Sequence, residues 1–214
     1  MCEGYRRENS VIIAVANTKG GVGKTTAAIY LAEAFARRGV EARVIDMDPQ
    51  GSATRWYDLA VTTAAAEGKQ GPRWRVENLT EYRLKQVTDT DTPTVIDCPP
   101  GDPRVFAIAA DLANMVILPC RPSPDDYART KITYRSLPEG KGVILVNDAR
   151  LRTTALEQIL DDIDSPANGS DPLPRFDTVV THREHIVHAN GTVPDKLNGY
   201  EDVLDEIEEA LENA

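Results

Sequence analysis

Six short apolar runs punctuate the chain, at residues 11–16, 42–45, 95–96, 115–118, 143–146 and 178–180. They are unbroken rather than alternating, the pattern of strands covered on both faces. A weaker run lies at 74–79. Helical patterns fill the intervals, over 25–38, about 80–88, 103–113, 125–136, 153–163, 183–190 and 200–212. Strands alternating with helices predict βα units, an α/β fold and a mostly parallel sheet. Gly39 stands where a C-cap glycine ends the first helix. Residues 165–174 are rich in Pro, Ser, Asn, Asp and Gly and read as a surface loop, because the 40 residues after them cannot build a second core. The chain is therefore read as one domain over 1–214, with an N-terminal tail at 1–9 and a terminal helix at 200–214.

Composition narrows this picture. The hydrophobic fraction of 41% over 214 residues suffices for a packed core and sets aside a disordered or collagen-like chain. Three cysteines, at 2, 98 and 120, are too few and too scattered for a disulfide framework or a Cys-rich metal site. A reducing, cytoplasmic compartment follows, with Cys98 and Cys120 read as small buried residues at strand ends. The charged N-terminus has no apolar stretch behind it, so no signal peptide is expected. No run approaches the ~18 apolar residues of a membrane span. The formal net charge is −10, but residues 201–214 hold seven acids and no Lys or Arg, which leaves 24 basic against 27 acidic residues elsewhere. The near-neutral body can carry a local basic patch, so the acidity does not exclude nucleic acid.

The sharpest chemical signal is Thr18-Lys19-Gly20-Gly21-Val22-Gly23-Lys24-Thr25-Thr26, set between the run at 11–16 and the helical pattern that follows. This is the context of a phosphate-binding loop. The glycines let consecutive backbone N–H groups turn toward phosphate oxygens, and the helix N-terminus behind them adds partial positive charge. Lys24 is placed for the β- and γ-phosphates and the Thr25 hydroxyl for Mg²⁺. Gly20, Gly21, Val22, Gly23 and Thr26 complete the cradle. The loop departs from the general Gly-x-x-x-x-Gly-Lys-Ser/Thr pattern, because Thr18 stands at its first position and Lys19 follows.

In this form the loop resembles the deviant Walker A motif of the ParA/MinD family of P-loop ATPases. Val44-Ile45-Asp46-Met47-Asp48-Pro49-Gln50-Gly51 is similar to the family's segment after its second strand, and Val95-Ile96-Asp97-Cys98-Pro99-Pro100 to its Walker B. Leu118-Pro119-Cys120-Arg121-Pro122-Ser123-Pro124-Asp125 resembles the proline-containing loop that lines the adenine in short members. Asn147 falls where the family places a base-contacting Asn, and Thr181-His182-Arg183 lies near its C-terminal motif. The resemblance covers about residues 10–200, and length places the chain with the short partition proteins. It implies a three-layer α/β/α P-loop NTPase fold, ATP with Mg²⁺, and ATP hydrolysis. It further implies an ATP-sandwich homodimer, non-specific DNA binding, a nucleoid-associated setting and a hydrolysis-stimulating ParB-like or centromere-binding adaptor. A plasmid is the commoner cargo, and a protein compartment such as a carboxysome is the alternative.

On this reading Asp48 orients the attacking water. Asp46, two residues earlier on the same strand end and face, supports Mg²⁺ or water, or else bonds the loop backbone. Asp97 ends an apolar strand, where a charge needs a cation, and holds Mg²⁺. Lys24 already serves its own nucleotide, so Lys19 is left without a task in the monomer; in the family it crosses to the partner's ATP. Pro122 and Pro124 flank the adenine edge, with Asp125 and Asp126 capping the next helix.

Three surfaces compete for partners. Arg152 and Arg183 match positions that line the DNA surface in DNA-binding relatives, and Lys196 is a further basic candidate. The span 121–152 is net +3 (seven Lys/Arg, four acids). His182, His185 and His188 recur at spacing three, which suits a phosphate-facing polar surface better than a metal site. Tyr200, Val203, Leu204, Ile207 and Leu211 form an apolar stripe backed by an acidic face. Anionic lipid would repel that face, so the stripe is expected against the domain body and no membrane partner is expected. The alternative to a DNA-tracking ATPase is a nucleotide-switched positioning protein with little or no DNA contact.

Overall fold

The computed structural model describes residues 11–87, 91–166 and 171–213. The tail at 1–9, Cys2 and the middle of the 165–174 segment lie outside the described residues. The elements run β1 (Ile12–Val15), α1 (Lys24–Arg37), β2 (Arg43–Asp46), α2 (Ser52–Ala66), β3 (Arg75–Asn78), α3 (Glu81–Leu84), β4 (Thr94–Asp97), α4 (Pro103–Leu112), β5 (Met115–Cys120), α5 (Pro124–Arg135), β6 (Gly142–Val146), α6 (Thr154–Asp164), α7 (Glu184–His188) and α8 (Tyr200–Glu212). The strands form one sheet in the order β3-β2-β4-β1-β5-β6, and every pair is parallel.

Alternation along each strand sorts the core into layers. Ile13, Val15, Val44, Val95 and Ile117 pack with α1, α2 and α8 on one face. Ile12, Ala14, Ile45, Ile96, Val116 and Leu118 pack with α3 and α4 on the other. Ile144 and Val146 extend that second face under Tyr127 of α5 and Leu156, Ile159 and Ile163 of α6. The result is the three-layer α/β/α arrangement expected from the sequence. All the β-to-α connections that carry candidate chemistry leave the C-terminal edge of the sheet, the edge at which parallel sheets bind ligands.

The structure departs from the sequence reading in three places. Helix α2 was not expected. Its inward face is Ala53, Trp56, Ala60 and Ala64, a helical stripe in which only Trp56 is a large apolar residue, so the periodic signal is weak. The run at 178–180 is not a strand: the isolated bridges of this segment, Ile144 to Arg175 and Ala149 to Thr181, lie on either side of it. Glu206 of α8 accepts from the consecutive N–H groups of Asp177 and Thr178 at 2.6 and 2.9 Å. Two successive donors aimed at one carboxylate break the extended alternation that a ladder requires. The helix expected over 80–88 closes after one turn, at Leu84.

The terminal helix packs as expected. Tyr200, Val203, Leu204 and Ile207 are buried against α1, and the Tyr200 ring lies 5.1 Å from that of Tyr30. Arg38, just past α1, pairs with Asp205 and Glu208 and so absorbs part of the acidic face. No helix among the described residues is long and apolar enough to cross a membrane. Tyr200→Ala should destabilise the domain by about 3–5 kcal/mol. The check is urea unfolding of the variant beside the parent chain, with the midpoint shift read at unchanged m-value.

Candidate functional site

The loop between β1 and α1 is shaped by its glycines and fastened from two sides. Gly21 and Gly23 sit at φ 72° and 93°, in the left-handed region. A Cβ at Gly23 would stand 2.6 Å from Asn147 Nδ2, so this position excludes a side chain on two counts. The buried Asn147 donates from Nδ2 to the Val22 carbonyl at 2.8 Å, and its Oδ1 has no hydrogen-bond partner among the described residues. On the entering limb, Asn17 Nδ2 donates to the Pro119 carbonyl and to Thr130 Oγ1, at 2.9 and 3.0 Å, and Asn17 Oδ1 accepts from the Lys19 N–H. Thr18 and Thr133 hydroxyls meet at 3.1 Å. Gly23 is the N-cap of α1 and supplies no side-chain bond, so the first N–H groups of the helix are left for an anionic ligand.

Both lysines of the loop are engaged within the chain. Lys24, 7% exposed, donates to the Lys19 carbonyl at 3.0 Å. Burial lowers its pKa, against the opposing pull of Asp97. Lys19 is bonded to both Asp125 and Asp126, and those bonds raise its pKa. This corrects the expectation that Lys19 has no task in the monomer. It also corrects the capping assignment: Ser123 is the N-cap of α5, accepting from the Asp126 N–H, which leaves the two carboxylates to the lysine. The helical spacing of Asp126, Thr130 and Thr133 marks a polar buried face on α5, but no local spacing points from it to Lys19.

Two carboxylates end adjacent strands in register, Asp46 beside Asp97. Asp46 is fully buried and spends both oxygens locally: Oδ1 accepts from the Asp48 N–H at 3.1 Å, and Oδ2 from the Thr54 N–H and hydroxyl, each at 2.8 Å. It fastens the start of α2, and a part in Mg²⁺ binding would require those bonds to be released. Asp97, 1% exposed, accepts from the Thr25 hydroxyl at 2.7 Å through Oδ2, while Oδ1 is buried without a partner among the described residues. Burial first, and then the neighbouring Asp46, push its pKa up to about 7 against the Thr25 bond. A buried, half-satisfied carboxylate beside a threonine hydroxyl is a hard-oxygen donor set that fits Mg²⁺. Asp48 is half-buried on the loop after β2, its Oδ1 accepting from the Gln50 N–H at 2.9 Å.

A cleft of ≈ 240 Å³ opens from this loop. Its polar wall is Gly21, Val22, Gly23, Thr26, Arg121 and Asn147, its apolar end Trp56, Val180 and Ile186, and Asp148, His182 and Arg183 also line it. Neither Pro122 nor Pro124 lines it. Pro124 sits in the first turn of α5 behind the Ser123 cap, and Arg121 is the side chain of this loop that lines the cleft. Arg121 and Trp56 were not assigned from the sequence. Backbone pairing of Ala149 with Thr181 and a bond from the His182 N–H to the Ala149 carbonyl lay two distant loops side by side. This brings the segment of exposed Arg150 and Arg152 next to that of exposed Arg183. Lys196 is exposed on a separate stretch, which Arg37 holds through the Pro194 and Asp195 carbonyls. The histidines are not gathered: His182 meets Asp148 and His185 meets Asn198, and no metal-holding group of three His, Cys, Asp or Glu occurs among the described residues. Cys98 and Cys120 are buried, as expected.

Asp97 predicts a pH dependence. Its folded pKa of about 7 exceeds the reference value of 3.8, so between these values the folded state binds more protons than the unfolded one. Without nucleotide or metal, its contribution to stability is therefore lost as pH rises through that window. Asp97→Asn should flatten this slope and melt above the parent chain on the alkaline side, in thermal melts from about pH 5 to about pH 9. Parallel slopes in the two proteins would remove the buried charge as the cause.

The model of the CobQ/CobB/MinD/ParA nucleotide binding domain matches residues 13–211. A Gloeobacter kilaueensis protein named maintenance of carboxysome distribution protein A is 36% identical over 118 residues, covering 55% of this chain and 52% of the relative. The match thus spans about half that relative's length. An ATP complex of a Cyanothece McdA variant superposes with TM-score 0.65 at 16% identity, over 95% of this chain and 97% of the other. A plasmid partition protein from Borrelia burgdorferi superposes with TM-score 0.60 at 16% identity, over 94% and 99%. With the loop, the paired strand-end carboxylates and the parallel sheet all in place, the chain belongs to the CobQ/CobB/MinD/ParA family of nucleotide-binding domains.

Proposed function

We propose that the chain is a ParA-type ATPase that uses a nucleotide-switched homodimer to position or segregate a cargo along non-specific DNA. The observation that carries this reading is the phosphate loop itself. An open helix N-terminus, Lys24 poised on a carbonyl it can exchange for a phosphate, and Thr25 beside the half-satisfied Asp97 meet at one sheet edge. Gly20–Thr26 cradle the phosphates, Asn147 and Arg121 face the rest of the nucleotide, and Thr25 and Asp97 hold Mg²⁺. Bound there, the cation would supply positive charge to offset that of the phosphates. Asp48 orients the attacking water and Lys24 stabilises charge on the transferred group, since phosphoryl transfer is mostly positioning and electrostatics. Lys19 serves the second copy's nucleotide. The relatives' names support a positioning role: carboxysome distribution for one, plasmid partition for another. The cargo, a plasmid on the reading adopted here, is taken up through an adaptor of the ParB-like or centromere-binding kind that stimulates hydrolysis. The protein then works in the cytoplasm on the nucleoid.

Asp48→Ala should keep ATP binding and the ATP-dependent dimer while turnover falls ~10²-fold or more. A phosphate-release assay with ATP-binding isotherms checks this, and normal turnover would exclude Asp48 as the water-positioning group. The DNA track is tested by binding to a non-specific duplex with ATP, with ADP and without nucleotide, at one fixed salt concentration. Binding only with ATP is expected, and Arg152→Glu with Arg183→Glu should weaken it about tenfold or more with ATP hydrolysis unchanged. An ATP dimer that binds no DNA in any state would instead identify a switch that acts on proteins alone.

A further inference from the structure

We infer that Asp125 and Asp126 form an intramolecular catch on Lys19, which a nucleotide-bound second copy must undo before the two copies close. The inference rests on the dimer reading above and supplies its threshold.

Lys19 is held at three points. Its N–H is bonded to Asn17 Oδ1, its carbonyl accepts from Lys24, and its ammonium lies between the carboxylates of Asp125 and Asp126. Asn17 is itself tied to the Pro119 carbonyl and Thr130. The backbone is thereby fixed and the side chain alone can change partners. An ammonium already paired with two carboxylates gains little by entering a dehydrated interface unless a stronger anion waits there. A polyphosphate on a facing copy is such an anion.

The acids are placed so that release is reversible. Both stand in the first turn of α5, where the helix N-terminus favours negative charge. Asp126, 1% exposed, also accepts from Arg121 Nε at 2.7 Å. When Lys19 departs, the buried carboxylate keeps a cationic partner and is not orphaned. The Asp125 side chain, 72% exposed, returns to water. Arg121 lines the nucleotide cleft, so a ligand there shares a cation with the carboxylate that holds Lys19. The catch and the cleft are therefore joined through one side chain.

Asp125→Asn is the variant that tests this, because its side chain is exposed and its loss leaves the Asp126–Arg121 pair intact. Sedimentation velocity with Mg²⁺ and a non-hydrolysable ATP analogue reads the dimer dissociation constant, with nucleotide affinity as the control for an intact site. The variant should dimerise at about two- to fivefold lower protein concentration than the wild type. Lys19→Gln should weaken the dimer, and adding Asp125→Asn to it should change nothing further, since the catch has nothing left to hold. Wild-type dimerisation by Asp125→Asn, or an equal gain in the Lys19→Gln background, overturns the catch while leaving the dimer standing. A wild-type chain that stays monomeric with the analogue overturns the dimer reading, and the catch with it.

Discussion

Asp46 and Asp97 end neighbouring strands side by side, and neither reaches solvent. Two carboxylates so placed cannot both carry charge unless donors or a cation compensate. The chain compensates them unequally. Asp46 receives the first turn of α2, through Thr54 and the Asp48 N–H. Asp97 receives one hydroxyl, and its second oxygen has no partner among the described residues. The unequal division localises the missing positive charge at one atom, next to Thr25 and within the field of Lys24. The phosphate loop, the start of α2 and the end of β4 are arranged around that imbalance. The same pair explains why the two acids, although alike in sequence context, take different parts: one organises the site and the other is available to it.

The loop is fastened by side chains of its own chain. Most helices of the domain turn an apolar face to the sheet, whereas α5 turns a largely polar one, and Asp126, Thr130 and Thr133 grip Asn17, Thr18 and Lys19. Asn147 grips the other limb at Val22. A loop fastened at both limbs loses little conformational freedom on binding, which leaves more of the interaction energy for affinity. Its cations rest on partners within the chain, Lys24 on a carbonyl and Lys19 on two carboxylates.

The frame and the phosphate loop were readable because both rest on strong local signals. Unbroken apolar runs mark strands buried on two faces, and a glycine-rich turn ahead of a lysine and a threonine has few other uses. What was not readable rests on weak or distant signals. Helix α2 faces the core mainly with alanine, whose burial leaves little trace in an apolar pattern. The run at 178–180 has a strand's composition, but a carboxylate nearly thirty residues later, Glu206, takes the N–H of Thr178 at its start. Pro124 also marks how α5 begins. The ion pairs of Lys19 span more than a hundred positions, and no spacing rule reaches so far.

The contact between Gly23 and Asn147 limits what either position can hold. A Cβ at position 23 meets Asn147 Nδ2 at 2.6 Å on a backbone already in the left-handed region. Shrinking residue 147 would clear the space, and would also cut the bond that steadies the Val22 carbonyl. The left-handed backbone at Gly23 remains unfavourable to a side chain whatever stands at 147. The two residues, more than a hundred apart in the chain, thus fit one another: Asn147 fills the space that a bare Gly23 leaves and uses it to hold the loop.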